Sequence, residues 1–324
     1  MDDYSGQEKS PQPVAILADE LEKGWDSTER LEARLEAFDI LKQKGFDFIE
    51  WGTETGIATQ NPATKKLFLK LFDCGQYLIF RNYLISKQSR LLGACTCKLH
   101  LLCPFCASRR GIKHSRIYKE KVDHLKAQAN DKLDLVFITF TVKNGADLNE
   151  RFTHLRNSMR FLLKQRNNQR LAKGTHKTEM AKLTGGVFAY EFKRGAGSQD
   201  WHPHIHMLAL LPKISQVDIA ILKQEWLDIT GDSSVINIKY ADDNGYLEVF
   251  AYALKFSEME NIDRWDAFNL LRRERLISSF GDLRGVELPE EETDDLLDTN
   301  EPFIDVLYRW CLGRGYENHG IVSK

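Results

Sequence analysis

The chain has 324 residues, of which 42% are hydrophobic and 28% are charged, and its formal net charge is −2 at pH 7. These values are typical of a soluble globular protein with one large domain or two ordinary ones. No apolar run approaches 18 residues and the N-terminus is acidic and polar, which excludes a membrane-spanning helix and a signal peptide. We therefore expect a cytoplasmic protein that has no membrane partner.

The charged residues are distributed unevenly along the chain. Residues 107–194 contain 20 Lys and Arg against 8 Asp and Glu, so the remainder of the chain is acidic. A basic middle within an acidic chain predicts a face that binds a polyanion. Solvated basic helices give the same pattern, so charge alone does not decide between the two interpretations.

The first 90 residues contain helical patterns but no chemical motif. Residues 1 to about 13 are expected to be disordered. Asp26 is placed to cap a helix that Gly45 closes, and a second helix is predicted from Ala63 to about Leu84. We interpret Cys74, which falls within that second helix, as a core residue.

Four of the six cysteines follow within twelve residues, with the spacing C-x-C-x5-C-x2-C. They are Cys95, Cys97, Cys103 and Cys106. Two close pairs joined by a short turn predict a structural Zn²⁺ site of four thiolates, in which His100 could replace one sulfur. Unliganded core cysteines are the alternative. The basic helix that follows, Arg109 to Lys126, is suited to phosphate contacts.

Strand and helix patterns alternate between residues 131 and 262. Asp134–Val142 is rich in β-branched and aromatic residues, and a basic helix covers residues 148–170. The full order, β-α-β-β-α-β-α, predicts an α+β domain in which helices flank an antiparallel sheet. Beyond this domain we predict a helix over Trp265–Phe280 and a solvated acidic tail over residues 287–305.

Three of the nine histidines fall within five residues, at the start of an apolar run that ends at Pro212. Because side chains alternate along a strand, His202, His204 and His206 are predicted to share one face. Such imidazoles can reach one divalent ion together, whereas the alternative is a set of histidines hydrogen-bonded on a sheet surface. A hairpin with the preceding strand, Val187–Lys193, would place Glu191 across from them.

A helix is predicted from Tyr246 to Met259, and it contains the segment Glu248-Val-Phe-Ala-Tyr252-Ala-Leu-Lys255. Spacings of four and three residues place Glu248, Tyr252 and Lys255 on one face. A tyrosine is a poor nucleophile while protonated, but a metal-bound phosphate and a nearby lysine would ease its attack. Without the histidines, an amphipathic core tyrosine beside an ordinary Glu–Lys pair is the better interpretation.

Together, these motifs resemble the HUH endonucleases, and in particular the replication initiator (Rep) proteins of rolling-circle plasmids. The matching segments occur in the family's order: Phe137–Lys143, His-Pro-His-Ile-His-Met-Leu at 202–208, and Tyr252-Ala-Leu-Lys255. The segment Cys-Pro-Phe-Cys-x-x-Arg-Arg at 103–110 is similar to the cysteine region that precedes the nuclease in one branch of these initiators. The likeness covers residues 90 to 260, roughly.

The resemblance implies a metal-dependent enzyme with a ferredoxin-like or RRM-like core that nicks and rejoins single-stranded DNA at a plasmid origin. The tyrosine matching Tyr252 would keep the 5′ phosphate, and an acid at the offset of Glu248 would activate water at termination. Mg²⁺ or Mn²⁺ would be held by His204, His206 and Glu191, with His202 the least certain member. Lys255 would assist, and the implied partners are the origin hairpin, the host helicase and the host polymerase.

This interpretation divides the chain into four regions. They are a helical N-terminal region (1–90), the cysteine-rich zinc module with its basic helix (91–130), the HUH nuclease domain (131–262), and a C-terminal helix with the acidic tail (263–324). The alternatives are an HUH transposase or mobilisation relaxase, a non-catalytic zinc-ribbon DNA-binding protein, and a hydrolase of small molecules that uses an H-x-H pair.

Overall fold

A computed structural model describes residues 27–173, 175–195, 199–241, 244–287, 293–297 and 299–322. The disordered lead and the Asp26 cap that we predicted lie outside the described residues. The helices are α1 (Leu31–Glu54), α2 (Pro62–Asp73), α3 (Pro104–Gln128), α4 (Leu148–Arg170), α5 (Ile219–Thr230), α6 (Asn244–Phe250), α7 (Tyr252–Lys255) and α8 (Asn261–Leu271). The strands are β1 (Tyr77–Tyr83), β2 (Ser89–Ala94), β3 (Leu133–Thr141), β4 (Gly185–Arg194), β5 (Trp201–Pro212), β6 (Ile236–Tyr240), β7 (Ile277–Gly281), β8 (Phe303–Cys311) and β9 (Gly315–Ile321).

The chain forms two compact units, each with its own antiparallel sheet. Unit 1 comprises residues 1–112 and 290–324, and unit 2 comprises residues 113–289. The described strands form a four-stranded sheet in unit 1, in the order β2-β1-β8-β9, and a five-stranded sheet in unit 2, in the order β6-β3-β5-β4-β7. The α+β class with helices flanking antiparallel sheets is therefore confirmed. The units group the four predicted regions differently, because β8 pairs with β1 and joins the C-terminal segment to unit 1.

The sheet of unit 2 has β5 at its centre, between β3 and β4. The predicted hairpin of β4 and β5 is confirmed, with Glu191 directly opposite His204. The Phe152 ring of α4 packs edge-on against Tyr190 and Phe192, each at a centroid distance of 5.5 Å. Because these neighbours of Glu191 point to the other face, α4 covers the face opposite the histidines.

Two helices that we predicted in the sequence end earlier than expected. The second N-terminal helix ends at Asp73, because Gly75 adopts the left-handed backbone (φ 70°) and the alternating run Tyr77–Tyr83 pairs as β1. The helix predicted over Trp265–Phe280 likewise ends at Leu271, and its last residues form β7. Helix α1, in contrast, continues through Gly45. A Cβ atom at this position would lie 3.7 Å from the Pro104 side chain.

The acidic tail that we expected to be solvated is partly structured, so that expectation is wrong. Its last residues begin strand β8, and the Asp294 carboxylate is buried. This carboxylate accepts hydrogen bonds from Arg34 (2.6 Å), from Arg109 and from the Leu91 backbone N–H (2.7 Å). Burial alone would raise the pKa of Asp294, but Arg109 and Arg34 hold it well below its usual range. Arg109, the first residue of the basic helix that we expected to contact phosphate, therefore stabilises a buried carboxylate of unit 1.

None of the described helices combines the length and the apolar character that crossing a membrane requires.

Candidate metal centres

One candidate centre, the histidine site, lies in unit 2 on the β4–β5 hairpin and consists of Glu191, His204 and His206. The ligand atoms of these three residues all lie within 4.8 Å of one another. Glu191 Oε2 is 3.1 Å from His204 Nε2 and 3.7 Å from His206 Nε2. The register of the hairpin brings these three side chains together, because cross-strand partners and alternate residues of a strand share a face.

Two helices on this face add an acid and a base to the histidine site. The Lys255 ammonium on α7 donates to Glu191 Oε2 at 2.8 Å and to Glu248 Oε2 at 3.2 Å. Glu248, on α6, also places Oε2 3.7 Å from His206 Nδ1. The Glu191 carboxylate is buried, whereas the side chains of Lys255 and Glu248 are partly exposed. The site therefore opens to solvent on the side of these two helices.

The charges of the histidine site stabilise one another. Burial alone would raise the pKa of Glu191, but His206, where low pH protonates it, and the Lys255 ammonium lower it well below its usual range. Burial alone would lower the pKa of Lys255, but Glu191 and Glu248 raise it. Burial lowers the pKa of His206 to about 3, which keeps this imidazole neutral near pH 7. A neutral imidazole and an ionised carboxylate are the protonation states in which both groups bind metals.

The donor set of the histidine site fits a divalent cation. Glu191 Oε1 and His206 Nδ1 are buried, and neither has a hydrogen-bond partner among the described residues. Buried polar atoms normally have such a partner. A site without a bound cation would therefore leave both atoms unsatisfied, which destabilises the fold. Two imidazoles and one carboxylate also leave coordination positions open, which distinguishes catalytic metal sites from closed structural ones.

The helix predicted over Tyr246–Met259 is interrupted at Ala251. Its first part is α6, and its second part is the short α7 followed by a 3₁₀ turn. Glu248 and Lys255 lie on either side of this break and are nevertheless in contact. Tyr252 is the first residue of α7, one turn before Lys255, and its side chain is only 4% exposed.

His202 lies outside the group that could share one ion. Its Nδ1 lies 2.7 Å from the side-chain oxygen of Asn144, and its ring centroid is 5.4 Å from that of His204. Burial lowers the pKa of His202 to about 4. Of the three histidines on this face, the structure thus brings two to Glu191 and turns the third towards the loop after β3.

A second candidate centre, the thiol cluster, lies in unit 1. Its members are Cys74, Cys97, Cys103 and Cys106, whose sulfur atoms lie within 4.8 Å of one another. The closest sulfur pairs are separated by 3.4, 3.5 and 3.7 Å. Tetrahedral zinc with Zn–S bonds near 2.3 Å requires sulfur atoms about 3.8 Å apart, so the cluster has dimensions that fit this ion.

Backbone amides support a thiolate state of the thiol cluster. The N–H groups of Cys97, Leu99 and Cys106 donate to the sulfurs of Cys74 (3.3 Å), Cys97 (3.5 Å) and Cys103 (3.5 Å), respectively. A hydrogen bond to the charged form favours that form. Hydrogen bonds from the other sulfurs, Cys106 first, lower the pKa of Cys103 well below the ordinary value, and the same contacts raise the pKa values of the other three thiols. In the absence of a metal, the negative charge is thus concentrated on one sulfur. The cluster therefore has the donors, the spacing and the hydrogen bonds of a structural metal site.

The assignment of Cys95 as the fourth thiolate is corrected, because Cys74 takes that position. Cys95 lies just after β2, and its backbone oxygen accepts a hydrogen bond from the Gly75 N–H at 2.7 Å. This contact brings the end of α2 beside the cysteine segment, and the buried Cys74 sulfur enters the cluster. Cys95 is partly exposed and lies outside the group, as does His100.

Comparisons with known proteins agree with these motifs. A family model described as "Replication protein" (Rep_1) matches residues 88–300. A "Protein rep" of Staphylococcus aureus is 28% identical over 176 residues, which are 52% of this chain and 70% of the relative. A "Protein rep" of Streptococcus pneumoniae is 25% identical over 278 residues, or 73% of this chain and 82% of the relative. Among solved structures, none matches.

The chain belongs to the replication (Rep) protein family. The resemblance to plasmid Rep proteins is thereby confirmed. The family match includes the histidine site, the Tyr252 segment and three members of the thiol cluster, but it begins after Cys74. The fourth thiol of this Rep protein therefore comes from a part of the chain that the family model does not cover.

Sequence reasoning missed two residues at the thiol cluster, Cys74 and Lys42. Lys42, on α1, is buried and donates to the backbone oxygens of Phe72 (2.7 Å) and Cys74 (2.5 Å). A buried lysine has no recognisable sequence signal.

Proposed function

We propose that this Rep protein initiates plasmid rolling-circle replication by nicking and rejoining single-stranded DNA at the origin. The observation that carries the proposal is the histidine site, where two imidazoles and one buried carboxylate adjoin the helices bearing Glu248, Tyr252 and Lys255. An open site with these ligands suits phosphoryl transfer better than a structural role. Family membership supports DNA as the substrate.

The residues of the histidine site suit distinct roles in the reaction. The Tyr252 oxygen would attack the phosphorus, the P–O3′ bond would break, and the 5′ phosphate would stay on the tyrosine while a proton completes the 3′ hydroxyl. Glu191, His204 and His206 would hold Mg²⁺ or Mn²⁺, which would supply Lewis-acid stabilisation of negative charge on the phosphate. Since Glu191 and Glu248 keep Lys255 protonated, this lysine would stabilise negative charge and not act as a base.

At termination, Glu248 would take a proton from a water molecule that attacks the phosphorus in place of the tyrosine. Its side chain is partly exposed, so water can reach it, and its contact with Lys255 holds it at the edge of the site. His202 is proposed as a contact to the DNA near the site, because it lies on the same strand face but points towards Asn144.

The thiol cluster is proposed to hold one structural Zn²⁺. Four sulfurs fill a tetrahedral site and leave no position for a substrate, so this ion would serve folding and not catalysis. The host helicase and polymerase belong to the same proposal as partners, as does a cytoplasmic location, because an initiator must deliver a 3′ hydroxyl to the host machinery.

Covalent capture of a labelled origin hairpin tests the proposal. Purified protein with Mn²⁺ should form an adduct that survives denaturing electrophoresis, and Tyr252→Phe should form none while binding the same oligonucleotide. Tyr240→Phe is a matched control, because Tyr240 is an exposed tyrosine of the same unit. An adduct that persists in Tyr252→Phe would exclude this tyrosine as the nucleophile, and cleavage at insertion-sequence ends in place of origins would indicate a transposase.

A further inference from the structure

Lys42 presents an unusual electrostatic situation in unit 1. Its side chain is 3% exposed, and its ammonium donates to two backbone oxygens, those of Phe72 and Cys74. Among the described residues, no carboxylate forms an ion pair with it. Burying an ammonium without an anionic partner is costly, and backbone carbonyls compensate only part of that cost. The rings of Trp310 and Phe72, whose centroids are 5.1 and 5.9 Å from the ammonium, compensate a further part. A negative charge close to Lys42 would stabilise its charged state further.

The sulfur atoms are the groups that can supply this charge. The Lys42 ammonium lies 2.5 Å from the backbone oxygen of Cys74, so it adjoins the thiol cluster. Burial lowers the pKa of Lys42, and negative charge on the cysteines, with Cys74 first, raises it. As neutral thiols they carry no charge. When a divalent ion binds four thiolates, four protons leave to solvent and the site has two net negative charges. The metal-bound state of the thiol cluster therefore gives the ammonium its largest negative charge.

We propose that Lys42 is the counter-ion of a four-thiolate metal site formed by the thiol cluster. In this role it is a positioning residue that does not touch the metal. Its two hydrogen bonds hold the end of α2, where Cys74 follows Asp73 as the C-terminal cap. The same ammonium thus fixes the backbone of one ligand and offsets the charge of all four. The inference rests on the proposed zinc site.

The proposal predicts that removing the charge of Lys42 destabilises the metal-loaded protein and stabilises the metal-free (stripped) protein. Lys42→Met keeps the length of the side chain and removes the charge. In metal-loaded protein, loss of the counter-ion should weaken metal retention against a chelator by about tenfold or more, because like charges at the site are no longer offset. In stripped protein the ammonium has no anionic partner, so Lys42→Met should raise the melting temperature.

A lysine that merely packs and donates two hydrogen bonds would behave differently, because its loss would lower the melting temperature in both states. The experiment therefore measures zinc content, chelator-induced zinc release and melting temperature for full-length wild type, Lys42→Met and Lys44→Met. Lys44 lies on the same helix and makes a matched control. Substitution with Co²⁺ adds a readout, since thiolate-to-cobalt absorption reports four-sulfur coordination independently of activity.

The outcomes separate the two proposals. Wild-type protein that contains no zinc and takes up no Co²⁺ overturns the zinc site and, with it, the counter-ion. Zinc in the wild type together with unchanged zinc release in Lys42→Met overturns the counter-ion alone. If stripped protein does not fold, the release rates of the loaded proteins decide. If Lys42→Met itself does not fold, Lys42→Arg, which keeps the charge, must retain zinc more strongly than Lys42→Gln, and equal retention overturns the proposal.

Discussion

The histidine site and the thiol cluster differ in how completely the protein would surround a metal. The thiol cluster offers four sulfurs in unit 1, which would close the coordination sphere with protein atoms alone. The histidine site offers three ligands in unit 2, and Lys255 and Glu248 line its partly exposed side. A closed site suits folding, and an open site suits chemistry. Removing a ligand should therefore damage stability in one unit and activity in the other.

The largest effect is expected at the open site. His204→Ala should reduce origin nicking by more than about 100-fold, since a lost ligand removes several kcal/mol of transition-state stabilisation. The free energy of unfolding should fall by only about 1–2 kcal/mol, because Lys255 remains paired with Glu191. Nicking of a labelled oligonucleotide and urea unfolding measure the two quantities.

The control for this prediction is His176→Ala, an exposed histidine of the same unit. It should change neither quantity. Undiminished nicking in His204→Ala, or in the wild type with EDTA, would mean that the histidine site is not the catalytic centre.

The closed site should give the opposite result. Cys74→Ser should lose zinc and lower the stability of unit 1 by several kcal/mol, because metal binding at a structural site contributes directly to folding. Cys95→Ser, at a cysteine outside the cluster, should keep zinc and wild-type stability. Elemental analysis and thermal unfolding distinguish the pair. Zinc loss in Cys95→Ser together with retention in Cys74→Ser would restore the assignment made from spacing.

The two sites also differ in how far the sequence predicts them. The grouping of Glu191, His204 and His206 was predicted, because these residues lie on neighbouring strands and the two-residue period of a strand fixes which side chains share a face. His202, the least certain member of the prediction, lies outside the group. Glu191 followed from the turn between β4 and β5. These relations are local, and local patterns are what a single sequence reports best.

The thiol cluster was predicted only in part, because its fourth sulfur arrives through a long-range contact. Cys74 is 23 residues from Cys97, and β1 and β2 lie between them. The prediction extended α2 as far as Leu84, so Cys74 was placed inside a helix and assigned to a core. The break at Ala251 was missed for a different reason. The segment from Tyr246 to Met259 contains neither Gly nor Pro, so no helix-breaking residue marks the break.

The pH dependence of stability tests whether His100 is a ligand of the thiol cluster. Burial lowers the pKa of His100, which lies between the two cysteine pairs, to about 4. As pH falls below the unfolded value near 6.5, the unfolded chain takes up a proton that the folded chain does not. The free energy of unfolding should therefore decrease between about pH 6.5 and 4, by at most about 3 kcal/mol.

His100→Gln should remove this part of the pH dependence and keep its zinc, whereas His319→Gln, at an exposed histidine of unit 1, should change neither. Denaturant unfolding at a series of pH values measures the difference between each variant and wild type. Zinc loss in His100→Gln would make His100 a ligand and the cluster a mixed sulfur–nitrogen site.

The smallest effect on nicking is expected for Glu248, and it tests whether the open site performs two reactions. Glu248 contacts Lys255 at 3.2 Å and is partly exposed, so as an ordinary ion pair it is worth at most about 1 kcal/mol. If it serves only as the base that activates water, Glu248→Gln should nick the origin within about threefold of the wild-type rate. The same variant should fail at termination, because an amide cannot accept the proton.

Replication products longer than one plasmid unit should then accumulate, while Glu260→Gln, at an exposed acid beyond α7, terminates normally. Equal loss of nicking and termination would instead mean that Glu248 positions Lys255, because both reactions need the positive charge of this lysine near the reacting phosphate.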